Sequence, residues 1–232
     1  MAVTDGDSVV LESGERVRLI GMQAPKLSLG RDGFEEWPLA EEARAALEEM
    51  ALGALVHLRY GGEELDRHGR ILAHMFVQGD TEIWAQWAMV TSGFARVYSF
   101  ADNRLCLEDL MRAEAQARVD KRGIWSNSYY KLRFADRPGD LLERVDHYEL
   151  VEGRVLAAEK AGSLVYLNFG RYWKEDFTVV IDKSGQKIFA AVGVDPLAYD
   201  GALLRVRGWI EDRDGPRIEV SHPEQIEVLA VR

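Results

Sequence analysis

The sequence is poor in cysteine and in long apolar runs. Cys106 is the single cysteine among 232 residues, so an internal disulfide is excluded and no Cys/His zinc pattern is present. Its stretch reads as helical, and we expect a small core residue there. No apolar run approaches the roughly 18 residues that a membrane span needs. The sequence therefore predicts no membrane-spanning segment and no membrane partner.

The start of the chain also lacks an export signal, because no basic stretch is followed by an apolar one. Met1-Ala2-Val3 leaves little room for a first strand before a turn at Asp5-Gly6. This start predicts that a leader or part of a strand is missing. The compartment stays open, with export expected if a leader once preceded Met1.

Positive charge is in short supply. Lys and Arg number 29 against 39 Asp and Glu, which gives a formal net charge of −10. Nucleic-acid-binding proteins usually carry a basic surface, because neutralising phosphates supplies most of their non-specific affinity. The composition therefore argues against an indiscriminate duplex binder. It is compatible with a small basic cleft on an acidic body.

The first half of the chain mixes strand and helix patterns. Apolar residues at 8–11 and 16–20 flank a turn at 12–15 and predict a hairpin. Helical spacing predicts helices over 39–51, about 80–92 and 105–120, with strands at 56–60 and 70–77. A long loop from 21 to 37, rich in glycine and charge, is typical of a functional or mobile segment.

The second half reads as β after a break. Residues 127–144 are polar and contain Pro138-Gly139, which predicts a linker that is partly helical. Five short strands separated by Gly/Asp turns follow, at about 150–156, 163–169, 177–181, 203–209 and 217–220. Such strands predict a small OB-like β-barrel. The predicted division is a domain at 1–126, a linker at 127–144 and a second domain at 145–232.

Several motifs of the first half resemble the staphylococcal nuclease (thermonuclease) family over roughly residues 3–126. They are Asp5-Gly6-Asp7-Ser8, Val17-Arg18-Leu19-Ile20 with Ala24-Pro25, Asp66-Arg67-His68-Gly69-Arg70, Glu114-Ala115-Gln116-Ala117 and Gly123-Ile124-Trp125-Ser126. The resemblance implies a mainly β, α+β fold: a five-stranded OB barrel with three helices. The second barrel resembles barrels appended to bacterial thermonuclease-like proteins.

The resemblance also implies a site. The family cleaves DNA or RNA phosphodiesters with one calcium ion, and Asp7 matches its metal-binding aspartate. Arg18 and Arg70 match the two arginines that clamp the phosphate. Tyr98 and Phe100 fall near the aromatic residues that flank the base pocket. Hydrolysis needs a polarising cation, a base for water and positive donors for the phosphate, and these are the parts that the family pattern supplies.

Three positions depart from that pattern. Gln23 stands where the second metal carboxylate belongs, Ala24 replaces a threonine, and Lys26 occupies the position of the general-base glutamate. Calcium takes six to eight oxygen ligands, normally with several carboxylates, and a nearby ammonium repels it. We therefore expect calcium affinity to fall severely. Lys26 could instead clamp phosphate or, with a strongly depressed pKa, act as the base.

The second domain interleaves aromatic and cationic residues. The predicted binding surface consists of Tyr166, Arg171, Trp173 and Lys174. Single-strand binding surfaces combine rings, on which bases stack, with cations for the phosphates. The same rings could instead fill the core of a small barrel.

Three hypotheses follow. In the first, a nuclease-fold protein binds single-stranded DNA, RNA or a nucleotide through Arg18, Arg70 and Lys26 without hydrolysis. In the second, it is a metal-dependent phosphodiesterase with surrogate ligands from the long loop, namely Asp32, Glu35 or Glu36. In the third, it is a protein-interaction scaffold with a vestigial site. The retained arginine pair favours the first, and metal dependence would identify the second.

Overall fold

The computed structural model describes residues 1–231 and divides the chain into two compact units, Met1–Tyr130 and Lys131–Arg232. The fold is mixed α+β, with more strands than helices. Among the described residues, no helix has both the length and the apolar character that crossing a bilayer requires.

The first unit contains eight strands and three α-helices within the described residues. The strands are β1 (Ala2–Asp5), β2 (Ser8–Val10), β3 (Arg16–Leu19), β4 (Met22–Gln23), β5 (Val56–Arg59), β6 (Ile71–Val77), β7 (Ile83–Trp84) and β8 (Arg96–Val97). The helices are α1 (Ala40–Ala51), α2 (Ala85–Thr91) and α3 (Leu107–Val119). Short 3-10 turns at Gly123–Ser126 and Ser128–Tyr130 end the unit.

One sheet organises this unit, in the order β1-β2-β3-β6-β5 with β7 on β6, and β4 pairs separately with β8. The predicted hairpin is β2–β3, in which Ser8 faces Arg18 and Val9 faces Val17. Val17 and Leu19 point into the core, where they meet the apolar faces of the helices. The arrangement fits the expected OB-like fold. Tyr130 seals the unit, because its hydroxyl donates to the Pro38 carbonyl at 2.7 Å.

The second unit contains two α-helices and eight strands within the described residues. They are β9 (Arg133–Phe134), α4 (Pro138–Leu142), β10 (Tyr148–Arg154), β11 (Ala157–Ala161), β12 (Leu164–Asn168), β13 (Thr178–Ile181), α5 (Lys183–Ala191), β14 (Leu203–Asp212), β15 (Pro216–Glu219) and β16 (Ile226–Ala230).

The second barrel is not closed. The sheet runs β11-β12-β13-β15-β14-β10-β9, with β16 on β14, and no pairing among the described residues joins its two ends. Instead, the chain changes partners between β10 and β11. The Val155 N–H donates to the Ala202 carbonyl at 2.9 Å, and the Leu156 N–H donates to the Asn168 carbonyl at 2.7 Å. Residues 155 and 156 therefore connect the β12 side of the sheet to the residue just before β14.

Several local predictions differ from the structure. The second helix begins at Ala85 rather than near Asp80, because Ile83 and Trp84 pair with β6 instead. Cys106 is exposed and lies at the start of α3 with a left-handed backbone, so it is not a core residue. His74, on β6, is buried. Within the predicted linker, residues from Lys131 onward belong to the second unit.

Candidate functional site

The Asp-Gly-Asp motif forms the tight turn between β1 and β2. A Cβ on Gly6 would lie 2.6 Å from the Ala24 Cβ and 2.9 Å from the Ala43 Cβ, which is too close for any side chain. Glycine therefore lets the turn pack directly beneath Ala24 and against α1. The Asp7 N–H donates to Asp5 Oδ1 at 3.0 Å, which brings the two carboxylates together.

Asp7 is fully buried, and its carboxylate is surrounded by donors. Arg18 Nη1 lies 2.7 Å from Oδ2, and the Ala24 N–H donates to the same oxygen at 2.9 Å. Lys26 Nζ lies 2.6 Å from Oδ1 and 2.7 Å from Oδ2. A buried carboxylate is tolerated only when it is paired and hydrogen-bonded in this way.

Lys26 also reaches the second carboxylate of the motif, since its Nζ lies 3.3 Å from Asp5 Oδ2. The lysine side chain is 21% exposed. We call Asp5, Asp7 and Lys26 the carboxylate–lysine cluster. The two buried carboxylates therefore share the Lys26 ammonium, and Asp7 is paired with Arg18 as well.

The two carboxylates respond differently to these surroundings. Burial by itself would raise the pKa of Asp7, but the Arg18 guanidinium and the Lys26 ammonium outweigh it and hold that pKa well below the ordinary value. Burial raises the pKa of Asp5, the Asp7 charge adds to the rise, and Lys26 opposes it. Asp7 is therefore firmly ionised, and Asp5 is the weaker acid of the pair.

Arg18 serves internal acceptors. Besides the Asp7 carboxylate, Nη1 donates to the backbone carbonyls of Asp7 at 3.1 Å and Leu19 at 3.2 Å, and Nη2 donates to that of Met22 at 2.9 Å. Its side chain is only 8% exposed. This guanidinium holds β3 and the turn after it in place, and it faces protein rather than solvent. Its role as a phosphate clamp stays a prediction.

Gln23 has a partner that the motif comparison missed. β4 pairs with β8 so that Gln23 faces Arg96, and the Arg96 Nε and Nη2 donate to Gln23 Oε1 at 3.1 and 2.8 Å. Both residues are buried. The amide oxygen is thereby turned towards a guanidinium. The two residues meet through the pairing of β4 with β8, which no motif in the sequence indicates.

Arg70 lies in the turn before β6 and is more accessible than Arg18. Its Nε donates to Asp66 Oδ2 at 2.7 Å, and its side chain is 33% exposed. The ion pair through Nε leaves the outer edge of the guanidinium for a further acceptor. The structure thus gives the two matched arginines different surroundings, one internal and one at the surface.

The predicted aromatic pair is close together. Tyr98 and Phe100 meet edge to face with their ring centroids 5.0 Å apart. The Tyr98 N–H donates to the Gly21 carbonyl at 3.1 Å, so this pair follows β8 and borders the turn that Arg18 holds. Phe100 is 38% exposed, which leaves an apolar ring at the surface.

The residues present do not fit calcium. Lys26 already contacts both motif carboxylates, and the Gln23 oxygen accepts from Arg96. Among the acids of the long loop, Glu36 accepts hydrogen bonds from Ser28, while Asp32 and Glu35 are exposed. Within residues 1–231 no group of three His, Cys, Asp or Glu side chains is placed to hold a metal. The calcium preference for several carboxylates is not met at the cluster.

The predicted surface of the second unit is partly gathered. Tyr166 and Trp173 line one cavity. Lys174 Nζ lies 5.1 Å from the centroid of the Trp173 ring, and Arg171 is exposed on the same β12–β13 connection. The cavity also contains Arg213 and Arg217, which the sequence analysis did not single out. They come from the β14–β15 hairpin, far away along the chain.

Comparison with known proteins relates the first unit to a nuclease family. Residues 16–127 match the family described as Staphylococcal nuclease homologue. Endonuclease YncB of Bacillus subtilis (strain 168) is 28% identical over 131 residues, which cover 54% of this chain and 60% of that protein. Thermonuclease of Staphylococcus hyicus is 27% identical over 128 residues, covering 54% of this chain and 73% of that protein.

A third relative is the SPbeta prophage-derived endonuclease YokF of Bacillus subtilis (strain 168), 27% identical over 131 residues. The match covers 54% of this chain and 43% of YokF. The chain thus spans less than two thirds of the length of YncB and YokF. The family match lies wholly within the first unit.

Proposed function

We propose that this protein binds single-stranded nucleic acid and that its carboxylate–lysine cluster does not catalyse cleavage. The premise is that residues 16–127 form a domain of the staphylococcal nuclease family. The observation that carries the proposal is the ammonium of Lys26, 2.6 and 2.7 Å from the two oxygens of Asp7. Lys26 thus places a fixed positive charge beside Asp7, which matches the metal-binding aspartate of the family that the sequence resembles.

The carboxylate–lysine cluster lacks the groups that phosphodiester hydrolysis needs. A general base must accept a proton, and an ammonium has no lone pair with which to accept one. The carboxylate–lysine cluster offers no oxygen set for a divalent cation, because each acid already meets Lys26. The attacking water therefore has neither an activating metal nor a base.

The first unit retains surface groups that suit the binding of a single-stranded nucleic acid. The partly exposed guanidinium of Arg70 can donate to a phosphate oxygen as a further partner, since charge-assisted contacts of this kind are among the stronger hydrogen bonds. The exposed ring of Phe100, braced edge to face by Tyr98, offers a platform for an unpaired base. Arg18 supports this surface from inside by holding the turn after β3.

Two assays on one preparation test the proposal. Fluorescein-labelled single-stranded DNA and RNA are incubated with the protein in calcium, magnesium, manganese or chelator, and cleavage is followed on gels while binding is followed by anisotropy. We expect no cleavage under any metal, together with binding that weakens as salt rises. Arg70→Ala should weaken binding severalfold.

Arg112→Ala is the matched control, since Arg112 is also an exposed, ion-paired arginine of the first unit but lies on α3. Cleavage that needs a metal and vanishes in Arg70→Ala would replace the proposal with a nuclease whose ligands come from the 26–37 loop. An absence of binding would point to the protein-interaction scaffold.

A further inference from the structure

A cavity of about 510 Å³ opens on the second unit, on the face of the sheet turned away from its core. Its floor is formed by residues of β12 and β13 such as Tyr166, Asn168 and Thr178. These alternate with Val165 and Leu167, which are buried in the core. Its volume lies in the range of about 300–1,000 Å³ typical of small-molecule sites.

The walls come from two connections. Trp173, in the β12–β13 connection, lines one part, and Arg213 and Asp214 of the β14–β15 turn line another. Trp173 is 56% exposed, although its large ring would be more stable against a partner than in water. Tyr166 presents a second ring from the floor. Two aromatic side chains at one cavity suit a flat ligand that stacks.

The polar groups of the cavity point to hydrogen bonding with a neutral ring system rather than to a run of phosphates. Glu159, Asp214 and Glu219 carry negative charge, against Arg213 and Arg217. Arg217 is further committed to Glu211, with Nη2 2.7 Å from its Oε2. Three carboxylates beside two guanidiniums would weaken any contact that depends on phosphate neutralisation alone.

Carboxylates and amides do match the edges of bases. A carboxylate accepts from the amino group of cytosine, and an Asn amide can both donate to and accept from adenine. These edges are accessible in a single strand, because its bases can be splayed from the stack and their pairing edges are open. In a duplex the same edges are engaged with the opposite strand.

We propose that this cavity binds unpaired bases of a short single-stranded nucleic acid. Trp173 and Tyr166 stack the bases, Glu159, Glu219 and Asn168 contact their edges, and Arg213 meets a phosphate of the backbone. The site extends nucleic-acid binding to the second unit and does not depend on the carboxylate–lysine cluster or on Arg70.

The test uses the full chain and a fluorescein-labelled single-stranded DNA hexamer of mixed sequence, followed by anisotropy. Trp173→Ala should weaken binding by roughly tenfold, as expected for the loss of one stacked base. Tyr172→Ala is the matched control, because Tyr172 is the adjacent, more exposed aromatic residue and does not line the cavity. Its effect should stay within about twofold.

Two further readouts locate the site. Hexamers that each carry a single 5-iodouracil, placed at every position in turn, should cross-link under ultraviolet light to the peptides that carry Tyr166 or Trp173. In the Arg70→Ala background, where the proposed first-unit contact is removed, the remaining affinity should fall with salt by a slope of about −0.7, because Arg213 is the one phosphate contact proposed at the cavity.

The outcomes separate the two proposals. Loss of binding in Trp173→Ala alone supports this cavity and counts against the first-unit site, whereas loss in Arg70→Ala alone does the reverse. Equal affinity of the Trp173→Ala and Tyr172→Ala proteins overturns the inference. So does a result in which the hexamer does not bind while a short lysine-rich peptide binds through Trp173, since that would assign the acidic groups to a cationic partner.

Discussion

Lys26 Nζ lies within hydrogen-bonding distance of both oxygens of the Asp7 carboxylate, at 2.6 and 2.7 Å. A single side chain thereby contacts both oxygens of this buried carboxylate. Lys26 and the buried Asp7 carboxylate form an ion pair, and each neutralises the charge of the other.

Lys26→Met should destabilise the folded protein. Breaking a buried ion pair typically costs about 3–5 kcal/mol, but Arg18 remains beside Asp7, so we expect a loss of about 2 kcal/mol in the free energy of unfolding. Urea denaturation measures it. Lys187→Met removes an exposed lysine of α5 and should change the stability by less than about 0.5 kcal/mol. Equal effects of the two substitutions would contradict the buried pairing.

Lys26→Glu should make stability depend on a divalent cation. The substitution puts a third carboxylate beside Asp5 and Asp7, whose mutual repulsion lowers stability until a cation neutralises them. Millimolar calcium should then raise the thermal midpoint by several degrees, by binding the folded state only. Lys187→Glu carries the same net charge and serves as the control in scanning fluorimetry. A similar calcium response in both variants would remove the basis for this prediction.

Stability should fall as the pH drops below about 4, and Asp7 should contribute to the fall. Its pKa is lower in the folded protein than in the unfolded chain, so its contribution is complete above the unfolded value and is lost as pH falls towards the folded one. Asp5, with its raised pKa, acts in the opposite sense. In urea denaturation at pH 3–7, the stability difference between wild type and Asp7→Asn should therefore shrink on acidification. A difference that stays constant with pH would show that the Asp7 charge does not contribute.

Arg18 and Arg70 should separate in their effects on folding. Arg18→Ala removes the partner of a buried carboxylate and three carbonyl contacts, for an expected loss of about 3–5 kcal/mol. Arg70→Ala removes one partly exposed ion pair and should cost at most about 1 kcal/mol. Chemical denaturation of both variants checks this. If Arg18→Ala is as stable as Arg70→Ala, the internal role of Arg18 is wrong.

Local patterns predicted the elements that local forces dominate. The β2–β3 hairpin follows from two alternating runs around a turn, and α1 from its apolar spacing and the acids of its first turn. The second helix was predicted too early because pairing of Ile83 and Trp84 with β6 overrides their helical spacing. Helix α5 is not among the predicted elements, which in this half of the chain are strands separated by turns. The Asp182 side chain, which accepts from the Gly185 N–H at 2.7 Å, was the capping signal.

The site was predicted as a set of positions rather than as a set of contacts. Motif order identified Asp7, Arg18 and Lys26, and the ammonium was expected to disfavour calcium. That Lys26 reaches both carboxylates depends on the close packing at Gly6, and that Gln23 meets Arg96 depends on the pairing of β4 with β8. Both are long-range relationships, which one sequence does not reveal. The same holds for Arg213 and Arg217 at the second-unit cavity.

The contact between Tyr130 and Pro38 bears on how the first unit should be cut for separate study. The family match ends at residue 127, whereas Tyr130, which is buried and donates a hydrogen bond to Pro38 two residues before α1, lies beyond that point. A fragment designed on the family boundary would leave the Pro38 carbonyl without its donor and uncover the apolar surface beneath the ring. Cutting after Tyr130 retains both, so three residues decide whether an isolated domain resembles its counterpart in the full chain.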